Sequence, residues 1–210
     1  YAELLRQPEA EARDVALAIE LFTEGSLNTF AKPTNVDTSS RILCYDIRDL
    51  GKQLQPVGML VMLDSVFNRI IRNRKLGKNT WVYIDEIYLL FQHEYSANFL
   101  FTLWKRVRKY GACCTGLTQN VDDLLQSHTA RTMLANSEFL VMLNQAATDR
   151  AELANLLNIS DNQLSYITNV DSGRGLIKCG SAIVPFMNSF PKNRLYQLMT
   201  TRPSETMAAA

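Results

Sequence analysis

Short apolar runs alternate along the chain with longer segments in which apolar residues recur at helical spacing. The short runs predict strands and cover residues 41–46, 81–86, 112–118 and 138–143. The longer segments predict helices over residues 3–22, 53–75, 96–110, 121–134 and 148–157. Strands that alternate with helices at this interval are typical of βαβ units. We therefore predict an α/β fold with a mostly parallel sheet that helices cover on both faces.

The C-terminal part of the chain has the pattern of a β-hairpin. Two apolar runs, residues 175–179 and 182–186, flank Gly180-Ser181, a pair that favours a type II′ turn. Pro185 has no backbone N–H to donate, so we expect its strand to lie at a sheet edge. Residues 193–210 predict a short helix followed by a frayed tail.

The order of these elements predicts a single domain, because it contains neither an internal repeat nor a clear linker. We divide this domain into a helical segment and loop over residues 1–40, a βα core over 41–145, and helices with the hairpin over 146–210. A chain of 210 residues is long enough to bury a sizeable core.

Charge and cysteine content exclude some classes of protein. The chain has 22 Lys and Arg residues against 21 Asp and Glu, which excludes a generally basic surface but not a local one. Its four cysteines form no C-x-x-C pair and fit free thiols in a reducing compartment. The longest uncharged apolar stretch, residues 57–63, is much shorter than the roughly 20 residues of a membrane span. We therefore expect no transmembrane segment.

Two adjacent acids, Asp85 and Glu86, follow the second predicted strand. The carboxyl ends of parallel strands form the edge of the sheet where ligands bind in open α/β folds. In nucleotide hydrolases, a first acid at this place holds Mg²⁺ and a second acid orients or deprotonates the attacking water. The same pair also fits the start of a solvated loop, so the pattern leaves both interpretations open.

Polar residues follow the next predicted strand and should lie beside those acids. Gln119 carries an amide that can donate and accept hydrogen bonds at once, which suits a group that senses a phosphate or the attacking water. Asn120 is better explained as the N-cap of the next helix. Gln119 is therefore the candidate functional residue of this segment.

Two basic stretches, residues 69–78 and 105–109, lie at the ends of predicted helices. Compensation of the helix dipole explains both in part, and contact with DNA phosphates is the alternative for each. Arg108 precedes a strand, so it should lie at the edge of the sheet opposite Asp85 and Glu86. We therefore expect Arg108 to serve a neighbouring subunit's site as an arginine finger, or to bind a polymer.

The order of motifs resembles the C-terminal ATPase domain of the VirB4 family. That family comprises conjugation and type IV secretion ATPases related to RecA-like motors such as the HerA, FtsK and coupling-protein groups. The segments that carry the likeness cover nearly the whole chain: Thr34-Asn-Val-Asp37, Tyr45-Asp-Ile-Arg-Asp-Leu50, Val82-Tyr-Ile-Asp-Glu86, Arg108-Lys109-Tyr110-Gly111, Thr118-Gln119-Asn120, Ala135-Asn-Ser137, Gly173-Arg-Gly-Leu-Ile177 and Val184-Pro-Phe186. The resemblance implies a RecA-like P-loop NTPase core and ATP with Mg²⁺ as cofactors.

The resemblance also implies roles for single residues. Asp85 and Glu86 match the Walker B pair, with Asp85 toward the metal and nucleotide and Glu86 toward the attacking water. Gln119 matches the sensor glutamine, and Arg108 matches an arginine that acts across the subunit interface in related ring motors. Arg174 is a further candidate near the nucleotide. The implied partners are other copies of the chain in a ring, a hexamer, and other secretion subunits. The implied location is the cytoplasmic side of the cell membrane.

One element of that family's pattern is absent from this sequence. No Gly-x-x-x-x-Gly-Lys-Ser/Thr loop occurs in the 210 residues, and this loop supplies the N–H groups and the lysine that cradle phosphates. In the family the loop lies upstream of the matching segment. With Tyr1 rather than Met at the start, we expect this chain to be the later part of a motor domain. We expect it to be inactive alone.

Three functions are therefore weighed for the protein. The first is an ATPase that energises conjugative DNA transfer or type IV secretion. The second is a DNA-translocating ATPase of the HerA, FtsK or coupling-protein type, with residues 69–78 and 105–109 on the DNA. The third is a non-catalytic module that contacts other secretion subunits.

Overall fold

The computed structural model describes residues 1–119 and 121–200. The chain divides into two compact units, Tyr1–Thr80 and Trp81–Ala210, and each unit is described here by itself. The single domain predicted from the sequence, with its three parts, stays a prediction.

Unit 1 is helical. It contains α1 (Ala2–Leu5), α2 (Ala10–Thr23) and α3 (Gly51–Lys75), with short 3-10 turns at Asn28–Ala31 and Arg48–Leu50. The single helix predicted over residues 3–22 is divided between α1 and α2 at a segment that contains Pro8. Proline disfavours the helical conformation of the residue before it and lacks an N–H for the helical ladder, which explains the interruption.

The long helix α3 confirms the helix predicted over residues 53–75. Its buried side chains, Met59, Leu63 and Ile70, follow one another at intervals of four and seven positions, as one face of a helix requires. Within the described residues, α3 is also long and apolar enough to cross a membrane. That is weak evidence, because long helices of soluble proteins meet the same criterion. The expectation of no transmembrane segment stays a prediction.

The strand predicted over residues 41–46 is wrong. The structure has no strand in this segment, and Ile42 is 78% exposed. An apolar run becomes a strand only when a neighbouring strand accepts and donates its hydrogen bonds. Within the described residues this segment pairs with no other strand.

In unit 2, β1 (Thr80–Ile84) and β2 (Ala112–Gly116) form a two-stranded parallel sheet. The connection runs through a 3-10 turn (Ile87–Phe91), helix α4 (Glu94–Arg106) and a second 3-10 turn (Val107–Tyr110). Gly111 ends that connection with a φ of 64°, a left-handed conformation that glycine adopts readily at a helix end. Both strands and the helix between them were predicted.

The second sheet is antiparallel and contains β3 (Phe139–Met142), β4 (Arg174–Cys179) and β5 (Ala182–Met187) in that order. Val141 lies opposite Ile177, and Ile177 lies opposite Val184. Gly180 turns the β4–β5 hairpin with a φ of 55°. The predicted hairpin is therefore confirmed, and Pro185 lies on β5, at the end of the strand order, as expected.

Unit 2 also contains further helices in its described part. They are α5 (Val121–Gln126), α6 (His128–Ala135), α7 (Ala147–Leu157), α8 (Asp161–Leu164) and α9 (Arg194–Met199). The single helix predicted over residues 121–134 is divided at Ser127, because the Ser127 side chain accepts a hydrogen bond from the Ala130 N–H and starts α6.

One hydrophobic cluster of unit 2 joins a face of the second sheet to the helices. It contains Val121, Leu125, Met142, Leu153, Leu157, Ile159, Ile167 and Leu176. Burial of such side chains contributes about 1.5–3 kcal/mol each. The predicted α/β class is confirmed, with a parallel pair of strands and a C-terminal antiparallel hairpin.

Candidate functional site

The turn after β1 holds the two acids of the sequence pattern. Glu86 adopts a left-handed backbone conformation, with φ 47° and ψ 48°, and its N–H donates to Asp85 Oδ1 at 3.0 Å. Residues other than glycine and asparagine are uncommon in this region, because the backbone crowds their Cβ atom. The turn is therefore a strained arrangement that its surroundings must hold in place.

Leu117 holds that turn from the end of β2. Its N–H donates to the Ile84 carbonyl at 2.8 Å, and its own carbonyl accepts from the Ile87 N–H at 2.9 Å. The two hydrogen bonds lie on either side of Asp85 and Glu86, so the end of β2 fixes both ends of the turn.

The carboxylate of Glu86 has one oxygen that the protein does not satisfy. Glu86 Oε2 is buried and has no hydrogen-bond partner among the described residues. A buried carboxylate oxygen without a donor is costly, so the site favours a group that supplies one, such as a water molecule. Asp85 is exposed beside it. Two carboxylates at one sheet edge fit Mg²⁺, which takes oxygen ligands and keeps several waters.

Gln119 follows Leu117 by two residues and is exposed. Because Leu117 is hydrogen-bonded on both sides of the acidic turn, the segment that carries Gln119 lies at the same sheet edge as Asp85 and Glu86. As expected, the backbone after β2 lies at the sheet edge that carries the two acids. Asn120, predicted as a helix cap, lies outside the described residues.

Arg108 lies at the other end of β2. It is exposed in the 3-10 turn before that strand, while Gln119 comes after it. The five residues of β2 separate the two ends by roughly 17 Å at about 3.3 Å per residue. Arg108 is therefore not part of the group formed by Asp85, Glu86 and Gln119 in the same chain.

Arg174 is the first residue of β4, in the second sheet. The register places Leu176 opposite Met142, so Arg174 lies just beyond the carboxyl end of β3. Its guanidinium is 3.6 Å from an Asp171 oxygen, and both side chains are largely exposed. Such a pair contributes little, which leaves Arg174 able to exchange this partner for another anion. It lines an open groove of about 630 Å³ with Tyr166 and Phe186.

The basic stretch at residues 69–78 is not uniform. Arg69 donates through Nη1 to the Thr38 carbonyl and through Nη2 to the Ser40 carbonyl, the latter at 2.9 Å. It therefore holds the loop before α3 in unit 1. Hydrogen bonds from the Ser39 side chain and backbone hold the pKa of Asp37 in that loop below its usual value, and the charge of Arg69 adds to the effect.

The basic stretch at residues 105–109 is also divided in its contacts. Lys105 Nζ lies 4.0 Å from the centre of the Phe101 ring, a cation–π contact. Arg106 and Arg108 are exposed. Lys105 thus contacts a ring on its own helix, while the side chains of Arg106 and Arg108 are accessible to solvent.

Strand β2 also carries adjacent cysteines. Burial raises the pKa of the Cys114 thiol to about 12, and the neighbouring Cys113 adds to the increase. Cys114 is therefore a neutral thiol at physiological pH, whereas Cys113 on the same strand is exposed.

The sequence lacks the loop pattern that binds the phosphate groups of a nucleotide in P-loop proteins. The 210 residues contain no Gly-x-x-x-x-Gly-Lys-Ser/Thr loop, so they do not provide its backbone N–H groups or its lysine. The acidic turn thus offers carboxylate oxygens of the kind that Mg²⁺ takes as ligands, without a phosphate-binding loop of this pattern in the sequence.

Two residues at the site were missed in the sequence. Ile87 is buried at 5% exposure directly after Glu86, and Gly116 at the end of β2 packs against it. A glycine inside a predicted strand often marks a close approach of another group, so Gly116 could have been singled out.

Comparisons with known proteins agree with this geometry. A family model described as "TraG P-loop domain" matches residues 34–176, more than half of the chain. The solved structure of VirB4 of Thermoanaerobacter pseudethanolicus matches with a TM-score of 0.76 and 23% identity, over 92% of this chain and 54% of that one. The chain thus spans about half the length of that protein. At this identity the likeness shows the fold. No curated protein matches the chain. The first two findings confirm the resemblance that the motifs indicated.

Proposed function

The chain belongs to the TraG P-loop domain family, and from this premise we propose that it is part of an ATP-hydrolysing motor that energises conjugative DNA transfer or type IV secretion. The observation that carries the proposal is the buried, unsatisfied Oε2 of Glu86 in a strained turn at the sheet edge. A carboxylate held in this way is suited to accept a hydrogen bond from an attacking water.

The residues at this edge have different roles, which follow from how exposed each side chain is to solvent. Glu86, partly buried, orients the water and accepts its proton, because its free oxygen has no competing donor. Asp85 is exposed and would hold Mg²⁺, although its Oδ1 already accepts a hydrogen bond from the Glu86 N–H. Gln119, exposed at the neighbouring strand end, contacts the reacting phosphate or the water. When bound, ATP would supply the phosphoryl group for transfer, and Mg²⁺ would neutralise the charge that develops on its oxygens.

Arg108 requires a second copy of the protein. It lies at the opposite end of β2 from Gln119, so we propose that it completes the site of a neighbouring subunit in a ring. Arg174 is proposed to approach the nucleotide from β4 after it releases Asp171. The complete assembly is proposed to be hexameric, peripheral at the cytoplasmic face of the membrane, and in contact with other secretion subunits.

A DNA-translocating motor is the second candidate, and a specific observation favours it. Arg72 and Lys75 in the last turn of α3 and Lys78 beyond it are exposed. These three cations fit the phosphates of a DNA backbone. Arg69 is excluded from this surface, because its guanidinium is bound to the Thr38 and Ser40 carbonyls.

The experiment that tests the proposal replaces Glu86 by Gln in the full natural protein. We expect hydrolysis to fall by at least about 100-fold, because the amide cannot accept the proton of the water, while nucleotide binding is retained. Transfer or secretion in cells should be lost with it. Glu138→Gln, an exposed acid before β3, is the matched control and should leave hydrolysis unchanged.

The outcomes separate the three functions. If Glu86→Gln and Asp85→Ala both leave transfer intact, the protein is a non-catalytic module and the proposal is wrong. If hydrolysis requires DNA and the protein moves along DNA in a translocation assay, the DNA-translocating motor is the better candidate.

A further inference from the structure

We propose that Gly116 is a positioning residue for Glu86, because the absence of a side chain at Gly116 leaves the space that the Ile87 side chain occupies. This inference rests on the proposed function of Glu86 in hydrolysis. Its evidence is the packing between the end of β2 and the first residue after the acidic turn.

That space is tight. A Cβ added to Gly116 would lie 2.6 Å from Ile87 Cδ1, 3.3 Å from Cγ2 and 3.5 Å from Cβ. Ile87 is 5% exposed, so its side chain is enclosed on the other sides as well. A methyl group at Gly116 therefore forces Ile87 to move within a packed environment.

Movement of Ile87 is transmitted to Glu86 through the backbone. Ile87 follows Glu86 directly, and its N–H is bound to the Leu117 carbonyl at 2.9 Å. Glu86 has a φ of 47°, a conformation that a glutamate does not hold by itself. The packing of Ile87 on Gly116 and the hydrogen bond to Leu117 together retain this conformation and aim the carboxylate.

The backbone of Gly116 itself does not need glycine. The positive φ values among the described glycines belong to Gly51, Gly77, Gly111, Gly173 and Gly180, and Gly116 is not one of them. Alanine fits its backbone conformation, and this exchange lowers the entropy of the unfolded chain, which favours folding. An effect of Gly116→Ala on activity would therefore come from contact with Ile87.

The test uses the full natural protein and four variants: Gly116→Ala, Ile87→Val, the double variant, and Leu157→Ala. Ile87→Val removes Cδ1, the atom nearest to the added methyl group. Leu157→Ala weakens a hydrophobic cluster of unit 2 that does not include Ile87. The measurements are kcat and KM for ATP hydrolysis and the melting temperature of each variant.

We expect Gly116→Ala to lower kcat about tenfold with little change in KM, because a misplaced catalytic group slows the chemical step. Ile87→Val alone should stay within about threefold of wild type, and the double variant should recover to the same level. Leu157→Ala should lower the melting temperature and leave kcat unchanged. If Gly116→Ala does not yield folded protein, Ile87→Ala replaces it and should lower kcat with unchanged KM.

Two failures are distinguishable. If Glu86→Gln hydrolyses ATP like wild type, the proposed function fails and Gly116 has nothing to position. If Glu86→Gln is inactive but Gly116→Ala retains its kcat, or if Ile87→Val does not restore the kcat of Gly116→Ala, the inference about Gly116 alone is overturned.

Discussion

The guanidinium of Arg69 donates to the carbonyl oxygen of Ser40 at 2.9 Å, across 29 residues of the chain. The same side chain also bonds the Thr38 carbonyl. A residue that the sequence placed in a basic stretch is thus a support for the loop that contains Asp37, and its charge is directed toward unit 1 itself.

Replacement of Arg69 by Ala should lower the free energy of unfolding by about 1–2 kcal/mol, because two carbonyl groups lose a charged donor at a partly exposed site. Urea denaturation measures this change. Arg72→Ala, in the same helix and exposed, should cost less than about 1 kcal/mol. Equal losses for the two variants would contradict the role assigned to Arg69.

Removal of the three exposed cations Arg72, Lys75 and Lys78 should weaken any binding of the protein to DNA. Each phosphate contact releases counterions, so the slope of log K against log salt should become shallower by about 2–3 for the triple Ala variant. Fluorescence anisotropy with a labelled oligonucleotide at several salt concentrations measures it. An unchanged slope would show that this surface does not contact DNA.

The 210-residue chain alone should not hydrolyse ATP, since its sequence contains no phosphate-binding loop. Phosphate release at millimolar ATP should equal that of the Glu86→Gln variant of the same chain. Clear hydrolysis by the unmodified chain, absent from that variant, would disprove this expectation.

Arg108→Ala should abolish hydrolysis in the assembled protein while each subunit still binds nucleotide, because the arginine is expected to act on a neighbour. Mixing this variant with Glu86→Gln subunits should recover part of the activity, since some interfaces then contain both intact residues. Arg106→Ala, also exposed, is the control and should remain active. No recovery in the mixture would argue against action between subunits.

The Cys114 thiol should make the free energy of unfolding decrease as pH rises through the alkaline range. Its pKa is about 12 in the folded protein against 9.0 for an unperturbed thiol, because burial disfavours the thiolate. Above pH 9.0 the unfolded chain loses this proton and the folded protein keeps it, so the free energy of unfolding falls as pH rises toward about 12. The slope for one proton is at most about 1.4 kcal/mol per pH unit.

Urea denaturation at about pH 8 to 10.5, on either side of the unperturbed pKa of 9.0, measures this dependence. Cys114→Ala should be less stable at neutral pH and should lack this part of the alkaline decline. An identical decline in both proteins would show that the thiol does not cause it.

The elements predicted best are those whose signal is local. Helix α3 follows from apolar residues on one face, and the β4–β5 hairpin follows from two apolar runs around Gly180-Ser181. The strand predicted over residues 41–46 failed, because an apolar run does not show whether another strand lies beside it.

For the site, the sequence predicted that polar residues after β1 and β2 share an edge, because parallel strands present their carboxyl ends together. It did not predict that Leu117 would bond both sides of the acidic turn, or that Ile87 would pack on Gly116. These contacts join residues about 30 positions apart and depend on how two strand ends are placed in space.

The sequence by itself determined the family, the α/β class and the residue types at the sheet edge, since motif order, periodicity and chemical identity are properties of the chain. Only the tertiary structure decided that Glu86 is strained and has an unsatisfied buried oxygen, and that Arg69 supports a loop. Burial and hydrogen-bond partners arise from contacts between distant segments. A basic or acidic residue therefore has the same appearance in the sequence whether it faces solvent, a ligand or a backbone carbonyl.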